Sequence, residues 1–296
     1  MLWSDVSSQP NNSLRLAVIG DPIAHSKSPV MHNTALAALG MMGEYIPLLV
    51  SRQDLGQAIS RLKDLGFRGM NVTIPHKVDV MAYVDRLDES AAKIGAVNTI
   101  VNDNGFLTGY NTDGIGYVRS LKDETLVHLR GKSILVLGAG GAARGIVYAL
   151  AQEDPETIVI ANRTEDRAIQ LAQSAKEWNS KVNIIGIAID KATEFLEGMD
   201  IVINTTSMGM HPHTTEYAIQ PDWIPAGIIV SDLIYNPLTT ELLKKSLERG
   251  CIIHGGLGMF VNQGAYALEY WTGQSAPIES MRQAVLECLQ QESINE

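Results

Sequence analysis

The sequence predicts an α/β protein of two domains, and three observations support that prediction. The chain has 296 residues, about twice the length of a typical single domain. Short apolar runs without alternation recur in its second half with helical stretches between them, which is typical of parallel strands buried on both faces. A glycine-rich turn, 138–143, directly follows the first of these runs. The second half is therefore predicted to be a doubly wound parallel sheet.

Composition and charge exclude two classes of protein. Apolar residues make up 45% of the chain and charged residues 19%, which excludes a mainly disordered protein. The net charge is −10, and residues 1–113, 114–255 and 256–296 each carry more acidic than basic side chains. No section has the basic surplus of a nucleic-acid surface, so nucleic acid is not an expected partner. Residues 1–12, rich in Ser, Asn and Gln, are expected to form a flexible tail.

Cysteine usage and hydropathy indicate the cellular compartment in which the protein is expected. Cys251 and Cys288 are too few for a disulfide framework or a metal knuckle, and no signal-peptide pattern opens the chain. We therefore expect a cytoplasmic protein without a metal. The uncharged stretch 250–268 is long enough for a membrane span, but His254, Asn262 and several glycines make it a poor lipid-facing helix. It is interpreted as a glycine-rich turn region, and no membrane partner is expected.

The first half combines strands, helices and one hairpin. Residues 14–19 are predicted as a strand, 28–40 as a helix with Ser28 as N-cap, and 54–65 as a second helix. Residues 69–75 are predicted as a strand whose alternation places Asn71 and Thr73 on one face, just before His76 and Lys77. Residues 96–101 and 106–110 are predicted as a hairpin around an Asn-Gly turn.

The second half alternates strands and helices. The predicted strands are 134–137, 157–161, 182–189, 201–205, 228–230 and 251–253. A final amphipathic helix, 277–290, is expected to pack back on the first domain. The predicted domains are therefore 1–113 with 256–296, and 114–255.

The glycine-rich turn fits the pyrophosphate of a dinucleotide. The turn, Gly138-Ala139-Gly140-Gly141-Ala142, lies between a predicted strand and a predicted helix. Glycine lets the backbone approach the pyrophosphate, and the helix N-terminus offers unpaired N–H groups. An ordinary strand-to-helix turn is the alternative. The strand that follows the helix favours the Rossmann interpretation.

The end of the next strand indicates which nicotinamide cofactor binds. An NAD site usually places a carboxylate there, whereas the 2′-phosphate of NADP needs a cation. Here the chain reads Asn162-Arg163-Thr164, with Arg167 one turn later. Arg163 can form a forked contact with a phosphate, and Thr164 can donate its hydroxyl. A surface arginine at the start of a helix is the alternative, and NADP is preferred.

Reduction of a carbonyl needs a proton donor beside the nicotinamide. The candidates in the first half are Lys77, His76, Asp113, His25 and His32. A lone lysine is usually a solvated surface charge, so the motifs around Lys77 decide its interpretation.

Several short motifs stand in a fixed order along the chain. They are Ile19-Gly20-Asp21-Pro22-Ile23 with His25-Ser26-Lys27-Ser28-Pro29, Asn71-Val72-Thr73-Ile74-Pro75-His76-Lys77, Gly95-Ala96-Val97-Asn98-Thr99, Gly109-Tyr110-Asn111-Thr112-Asp113-Gly114, the turn 138–143, Asn162-Arg163-Thr164, Asn204-Thr205-Thr206-Ser207-Met208-Gly209, Asp232-Leu233-Ile234-Tyr235-Asn236-Pro237, and Gly255-Gly256 with Gln263. With these motifs the chain resembles the shikimate dehydrogenase family from about residue 16 to the final helix.

The resemblance implies NADPH-dependent reduction of 3-dehydroshikimate to shikimate, on the route to chorismate and the aromatic amino acids. It makes Lys77 and Asp113 the catalytic pair. The implied substrate-binding residues are Ser26, Ser28, Asn71, Thr73, Asn98, Asp113, Tyr235 and Gln263. Besides the turn 138–142 and residues 162–164 and 167, the implied cofactor-binding residues are Leu233, Gly256 and Glu89. The first domain then binds the substrate, the second binds NADP, and the cleft between them is expected to close by a hinge.

Each of these residues also has a structural interpretation, and four alternatives for the whole protein stay open. Ser28 could only cap a helix, Asn98 and Thr73 could be polar groups at a sheet edge, and Gln263 could lie on a helix surface. The protein could accept quinate or prefer NAD. It could be a methylenetetrahydrofolate dehydrogenase, or a sensor that binds NADP without turnover. The oligomeric state cannot be deduced from the sequence, and a homodimer is one possibility.

Overall fold

The computed structural model describes residues 1–7 and 13–295, with side chains described up to residue 291. The chain forms two compact units, Met1–Thr112 with Gln263–Glu296, and Asp113–Asn262. The first unit is built from two separated pieces of sequence. The sequence predicted boundaries after residues 113 and 255. The first agrees with the structure within one residue, whereas the second lies seven residues early, because one continuous helix, 256–272, contains both the predicted and the observed boundary.

The first unit contains a six-stranded mixed sheet. Its strands are β1 (Leu14–Gly20), β2 (Gly43–Leu49), β3 (Gly69–Val72), β4 (Arg86–Leu87), β5 (Thr99–Asp103) and β6 (Phe106–Tyr110), in the order β2-β1-β3-β5-β6-β4. Its helices are α1 (Ser28–Ala38), α2 (Leu55–Asp64), α3 (Glu89–Ile94) and, from the end of the chain, α9 (Ile278–Asn295). β1 pairs in parallel with β2 and β3, whereas β5 is antiparallel to both its neighbours.

The predicted hairpin and second helix of this unit are confirmed. β5 and β6 form the hairpin, and Asn104 and Gly105 carry the positive φ angles of 52° and 94° that a tight turn requires. α2 buries Leu55, Ile59 and Leu62, which recur at helical spacing.

Of the paired strands β1 and β2, only β1 was predicted from the sequence. β2 contains Pro47, which removes a backbone donor and argues against a central strand. The structure places β2 at the edge of the sheet, where proline is tolerated.

The flexible tail predicted for residues 1–12 is wrong for residues 1–7. Leu2 forms a bridge to Leu49 at the end of β2, and Val6 is buried. Nη2 of Arg61 on α2 donates to the Val6 carbonyl at 2.8 Å. Residues 1–7 therefore pack on the first unit, whereas residues 8–12 lie outside the described residues.

The second unit is a six-stranded parallel sheet. Its strands are β7 (Ser133–Leu137), β8 (Thr157–Asn162), β9 (Asn183–Ala188), β10 (Ile201–Asn204), β11 (Ile229–Asp232) and β12 (Ile252–His254), in the order β12-β11-β10-β7-β8-β9. Its helices are α4 (Asp113–Thr125), α5 (Gly141–Ala151), α6 (Glu165–Trp178) and α7 (Glu241–Glu248). Counted from β7, this is the doubly wound order 3-2-1-4-5-6, reversed in direction between β7 and β10.

All six apolar runs of the second half form strands, as predicted. Side chains of β7 alternate between two cores: Ile134 and Val136 lie in one, and Leu135 and Leu137 lie in the other. Both faces of the strand are buried, so the run needs no polar positions.

The turn region predicted for residues 250–268 is wrong, because residues Gly256–Thr272 form one helix, α8. Its glycines allow close packing rather than a turn. A Cβ at Gly264 would overlap the Met31 side chain, and one at Gly258 would overlap the Ser120 hydroxyl. None of the helices in the described part of the chain is long and apolar enough to cross a membrane.

Candidate active site

The glycine-rich turn joins β7 to α5 at the carboxyl end of the parallel sheet. Gly138 has a φ of +109°, and a Cβ there would lie 2.6 Å from the Thr205 hydroxyl oxygen. Gly140 and Gly141 are exposed, and a Cβ at either would meet no atom within 4 Å. The exposed N-terminus of α5 is therefore open to an anionic group at the point where the strand order reverses.

The end of β8 lies beside this turn and carries a cation. Oδ1 of Asn162 accepts from the Ala139 N–H at 3.2 Å, and its Nδ2 donates to the Thr164 carbonyl at 2.9 Å. Asn162 thus ties the turn to the start of α6. Arg163 is exposed and forms no ion pair within the part of the chain that the structure describes. The side chains present fit a dinucleotide with a phosphate near its adenosine end.

The residues that follow Arg163 do not neutralise its charge. Glu165, the nearest acidic residue along the chain, pairs with Lys191 at 3.3 Å. Thr164 precedes α6 and makes no side-chain capping bond, so its hydroxyl is available to a ligand. Arg167 is exposed on the first turn of α6.

Leu233 and Gly256 meet at the ends of β11 and β12. The Gly256 N–H donates to the Ile234 carbonyl at 3.1 Å, and a Cβ at Gly256 would overlap the Leu233 carbonyl. Two residues after Leu233, the Tyr235 ring stacks on Phe260 of α8 with ring centres 4.6 Å apart. These contacts place the loop after β11 at the carboxyl edge of the sheet.

A buried polar network occupies the middle of the first unit's sheet. Asn71 accepts the Tyr45 hydroxyl proton at 2.7 Å and donates to the Asn98 carbonyl at 3.2 Å and to the Thr99 hydroxyl at 3.1 Å. Asn98 in turn accepts from the Thr112 N–H at 2.8 Å. Asn71 and Asn98 are thereby held in fixed orientations within a satisfied network.

Thr73 lies against the end of β1, and Ser26 and Ser28 lie at the start of α1. The Ser28 N–H donates to the Ser26 hydroxyl at 3.3 Å. The predicted N-cap role of Ser28 is wrong, because Ser28 is the first residue of α1 and Lys27 precedes it. Thr73 lies beyond β3, which ends at Val72 and is shorter than predicted. A Cβ at Gly20 would lie 2.5 Å from the Thr73 methyl group.

Lys77 is half-buried, and its backbone is held by the segment that precedes β5. Its carbonyl accepts from the Val97 N–H at 2.7 Å, one residue before Asn98. The adjacent His76 is fully buried, with Nε2 2.7 Å from the Val50 carbonyl oxygen. His76 therefore has a structural partner, as expected for a histidine without a catalytic role.

The remaining predicted site residues are distributed over both units. Asp113 opens α4 directly after Thr112, and Gln263 lies in α8. Glu89 belongs to the first unit, unlike the other predicted cofactor residues, and pairs with Lys93 one turn later at 2.7 Å. Among the described residues, no group of three His, Cys, Asp or Glu side chains could hold a metal ion.

Tyr45 of this region was not predicted from the sequence, and His32 was named only as a candidate proton donor. Tyr45 orients Asn71, and the His32 ring stacks on Tyr45 with centres 4.3 Å apart. Both residues come from elements distant in sequence from Asn71, so no local pattern could have connected them.

Comparison with known proteins identifies the family. Residues 18–100 match the shikimate dehydrogenase substrate binding domain, 120–220 match shikimate / quinate 5-dehydrogenase, and 256–286 match the shikimate 5'-dehydrogenase C-terminal domain. The shikimate dehydrogenase (NADP(+)) of Bacillus cereus strain B4264 is 49% identical over 272 residues, 92% of this chain and 97% of that protein. The chain belongs to the shikimate dehydrogenase family.

Solved structures of related proteins share the whole fold with this member of the family. A shikimate dehydrogenase in complex with NADP+ has a TM-score of 0.89 and 39% identity, covering 95% of this chain and 98% of that one. A quinate dehydrogenase from Corynebacterium glutamicum in complex with NAD has a TM-score of 0.88 and 31% identity, covering 94% and 100%. The α/β architecture predicted from the sequence is confirmed, and its structural neighbours include a shikimate dehydrogenase with bound NADP+ and a quinate dehydrogenase with bound NAD.

Proposed function

We propose that this chain is an NADP-dependent shikimate dehydrogenase that reversibly reduces 3-dehydroshikimate to shikimate. This reaction lies on the route to chorismate and the aromatic amino acids. The observation that carries the proposal is the exposed Arg163 beside the open glycine-rich turn, in a chain of this family. Arg163 supplies the cation that a 2′-phosphate requires, where an NAD site would present a carboxylate.

The residues of the second unit would hold the cofactor along the carboxyl edge of the parallel sheet. The N–H groups of Gly140, Gly141 and Ala142 at the start of α5 would bind the pyrophosphate. Arg163, with Thr164 and Arg167, would bind the 2′-phosphate. Leu233 and Gly256 would lie against the nicotinamide half. When bound, NADPH supplies the hydride that reduces the carbonyl carbon.

Lys77 and Asp113 would carry the proton chemistry. As hydride reaches the carbonyl carbon, negative charge develops on the oxygen, and the Lys77 ammonium stabilises that charge and donates the proton. The Asp113 carboxylate would orient the ammonium group. In the reverse direction the neutral amine takes the proton from the hydroxyl of shikimate.

The polar residues of the first unit suit a ring with one carboxylate and several hydroxyl groups. Ser26 and Ser28 offer hydroxyl donors near the start of α1, while Asn71, Thr73 and Asn98 offer amide and hydroxyl partners. Tyr235 and Gln263 complete the proposed set of substrate contacts. Glu89 stays a prediction from the family resemblance alone. The cytoplasmic location, expected from the cysteine usage and the lack of a signal-peptide pattern, and a possible homodimer also stay predictions.

A spectrophotometric assay with four pairings, shikimate or quinate with NADP or NAD, tests the proposal. The expected result is the highest kcat/KM for shikimate with NADP. A higher kcat/KM for quinate, or for NAD, would favour the activity that the quinate dehydrogenase neighbour carries in its name. No turnover with any pairing would favour a protein that binds NADP without catalysis.

A further inference from the structure

Asp232 is a buried carboxylate at the carboxyl end of β11 to which the proposed mechanism gives no role. Its exposed fraction is 0%, and it accepts three hydrogen bonds. The donors are Nδ2 of Asn204 at 3.1 Å, the Ile234 N–H at 3.1 Å and the Thr240 hydroxyl at 2.8 Å. Asp232 therefore connects the ends of β10 and β11 with the start of α7.

These bonds fix the direction of a longer chain of hydrogen bonds. A carboxylate only accepts, so Asn204 must turn its NH₂ group toward Asp232 and its carbonyl oxygen away. That oxygen accepts from the Thr206 N–H at 3.0 Å and from the Thr206 hydroxyl at 2.7 Å. The Thr206 oxygen then accepts from the Met208 N–H at 3.2 Å. Asp232 thus orders residues 205–208, which we name the β10 loop.

The β10 loop packs on the glycine-rich turn. The Thr205 N–H and hydroxyl both donate to the Leu137 carbonyl, at 2.9 and 2.7 Å, directly before Gly138. A Cβ at Gly138 would lie 2.6 Å from the Thr205 hydroxyl oxygen and 3.1 Å from the Thr206 methyl group. The shape of the turn and the shape of the β10 loop are therefore interdependent.

The strand order decides which half of the cofactor this contact affects. β8, with Arg163 at its end, lies on one side of β7, and β10 and β11 lie on the other. A dinucleotide with its pyrophosphate over the turn and its 2′-phosphate at Arg163 must place its other half over the ends of β10 and β11.

The burial of this charge opposes folding. Burial raises the pKa of Asp232, and the three hydrogen bonds only offset that effect. A buried carboxylate is thus a poor choice for stability alone, which points to a role in positioning.

We propose that Asp232 is a positioning residue for the nicotinamide half of the cofactor, acting through Asn204 and the β10 loop. The inference rests on the proposed function, since it assumes that the turn binds NADPH.

The test compares two ligands on the full-length protein. NADPH reaches from Arg163 across the turn to the ends of β10 and β11. The second ligand, 2′,5′-ADP, has the adenosine with its 2′- and 5′-phosphates but lacks the nicotinamide half. Asp232→Ala removes the charged acceptor of the Asn204 amide and leaves it only the Met208 carbonyl, 3.3 Å away. The Kd of NADPH should therefore rise about tenfold or more, as expected for a lost charge-assisted hydrogen bond. The Kd of 2′,5′-ADP should change less than twofold. Asp232→Asn, which keeps an acceptor toward Asn204, should restore most of the NADPH affinity.

Thr240→Val is the matched control, because it removes another bond to Asp232 but leaves Asn204 in place. It should lower the Tm and leave the Kd of NADPH unchanged. If Asp232→Ala does not fold, Asn204→Asp replaces it, since this change keeps the acceptor for Thr206 but sets two carboxylates face to face. For Asn204→Asp too, the Kd of NADPH should rise and the Kd of 2′,5′-ADP should stay nearly unchanged.

An unchanged Kd for NADPH, or equal weakening of both ligands, would overturn the inference. If the wild-type protein bound neither ligand, the proposed function itself would fail, and the inference with it. Kd values can be followed by ligand fluorescence for NADPH and by calorimetry for 2′,5′-ADP.

Discussion

Lys77 is the residue on which the proposed chemistry depends most directly. Replacing it with alanine removes the ammonium group, so kcat for shikimate oxidation should fall by about 10²–10⁴-fold, the usual contribution of a positioned acid or base. Shikimate binding should weaken far less. Steady-state kinetics together with calorimetric titration of shikimate would separate the two effects.

Lys63→Ala is the control for that experiment, because Lys63 lies in the last turn of α2, in the same unit, and belongs to none of the proposed substrate or cofactor contacts. Its kcat should equal that of the wild type. A near-normal kcat for Lys77→Ala would exclude Lys77 as the proton donor.

Arg163 decides the proposed cofactor preference. Arg163→Ala should raise KM for NADPH about tenfold, because a charge-assisted contact with the 2′-phosphate is lost, and should leave KM for NADH within about twofold. Arg130, exposed and paired with Asp154, provides the control substitution in the same unit. Equal effects of Arg163→Ala on both cofactors would remove the 2′-phosphate role.

His32 makes the stability of the first unit depend on pH. Burial lowers the pKa of His32 from 6.5 to about 3, so the ring stays neutral in the folded protein. Between these values the unfolded chain binds the extra proton, and the free energy of unfolding therefore falls as the pH falls. From pH 7 to pH 5 the loss from this group is about 2 kcal/mol.

His32→Phe keeps a ring against Tyr45 but removes the titration. Urea unfolding at pH 7 and pH 5 should show a smaller pH effect in this variant, by about 2 kcal/mol. His128→Phe, which changes an exposed histidine, should behave like the wild type. An unchanged pH dependence in His32→Phe would show that His32 is not the group responsible.

At the scale of elements, α8 depends on its glycines for packing. Gly264→Ala improves intrinsic helix propensity but forces a methyl group into Met31. The variant should lose about 1–3 kcal/mol of unfolding free energy, the usual cost of overpacking. Gly198→Ala, where nothing lies within 4 Å of the new methyl group, is the control and should be nearly neutral. A more stable Gly264→Ala variant would contradict the tight packing.

Local sequence patterns predicted the elements that local physics determines. The six parallel strands are continuous apolar runs because both their faces are buried, and the pattern needs no knowledge of the partner strands. β2 and α8 escaped prediction because Pro47 and the glycines oppose strand and helix locally. Their positions, at a sheet edge and against α1, reverse that preference.

In the candidate active site, too, only features determined by neighbouring residues in the sequence could be predicted. The glycine-rich turn and Arg163 could be found because strand, turn and helix are contiguous in sequence. The orientation of Asn71 by Tyr45, and of Asn204 by Asp232, depends on pairs of side chains that only the folded sheet brings together. Roles in the first unit could be assigned from the sequence only through the family resemblance.

At the scale of the whole molecule, the last helix completes the first unit. α9 packs on α1 and buries Met281 and Val285. A chain that ends at residue 276 should therefore lose the cooperative unfolding of the first unit, while the second unit keeps its fold and its binding of 2′,5′-ADP. Scanning calorimetry and ligand titration would show this, with exposed Glu287→Ala as a control that changes neither. Loss of both properties together would contradict independent units.

The division of the first unit into two pieces of sequence has a consequence during protein synthesis. Residues 1–112 leave the ribosome first, but Trp271, which donates to the Ile100 carbonyl at 2.9 Å, and the whole of α9 come last. At about 5–20 residues per second, translation of residues 113–262 alone takes roughly 8–30 s. During that interval the apolar face of α1 that α9 covers is exposed, whereas the second unit can already fold. The first unit is thus the part of the nascent chain that would need protection by a chaperone.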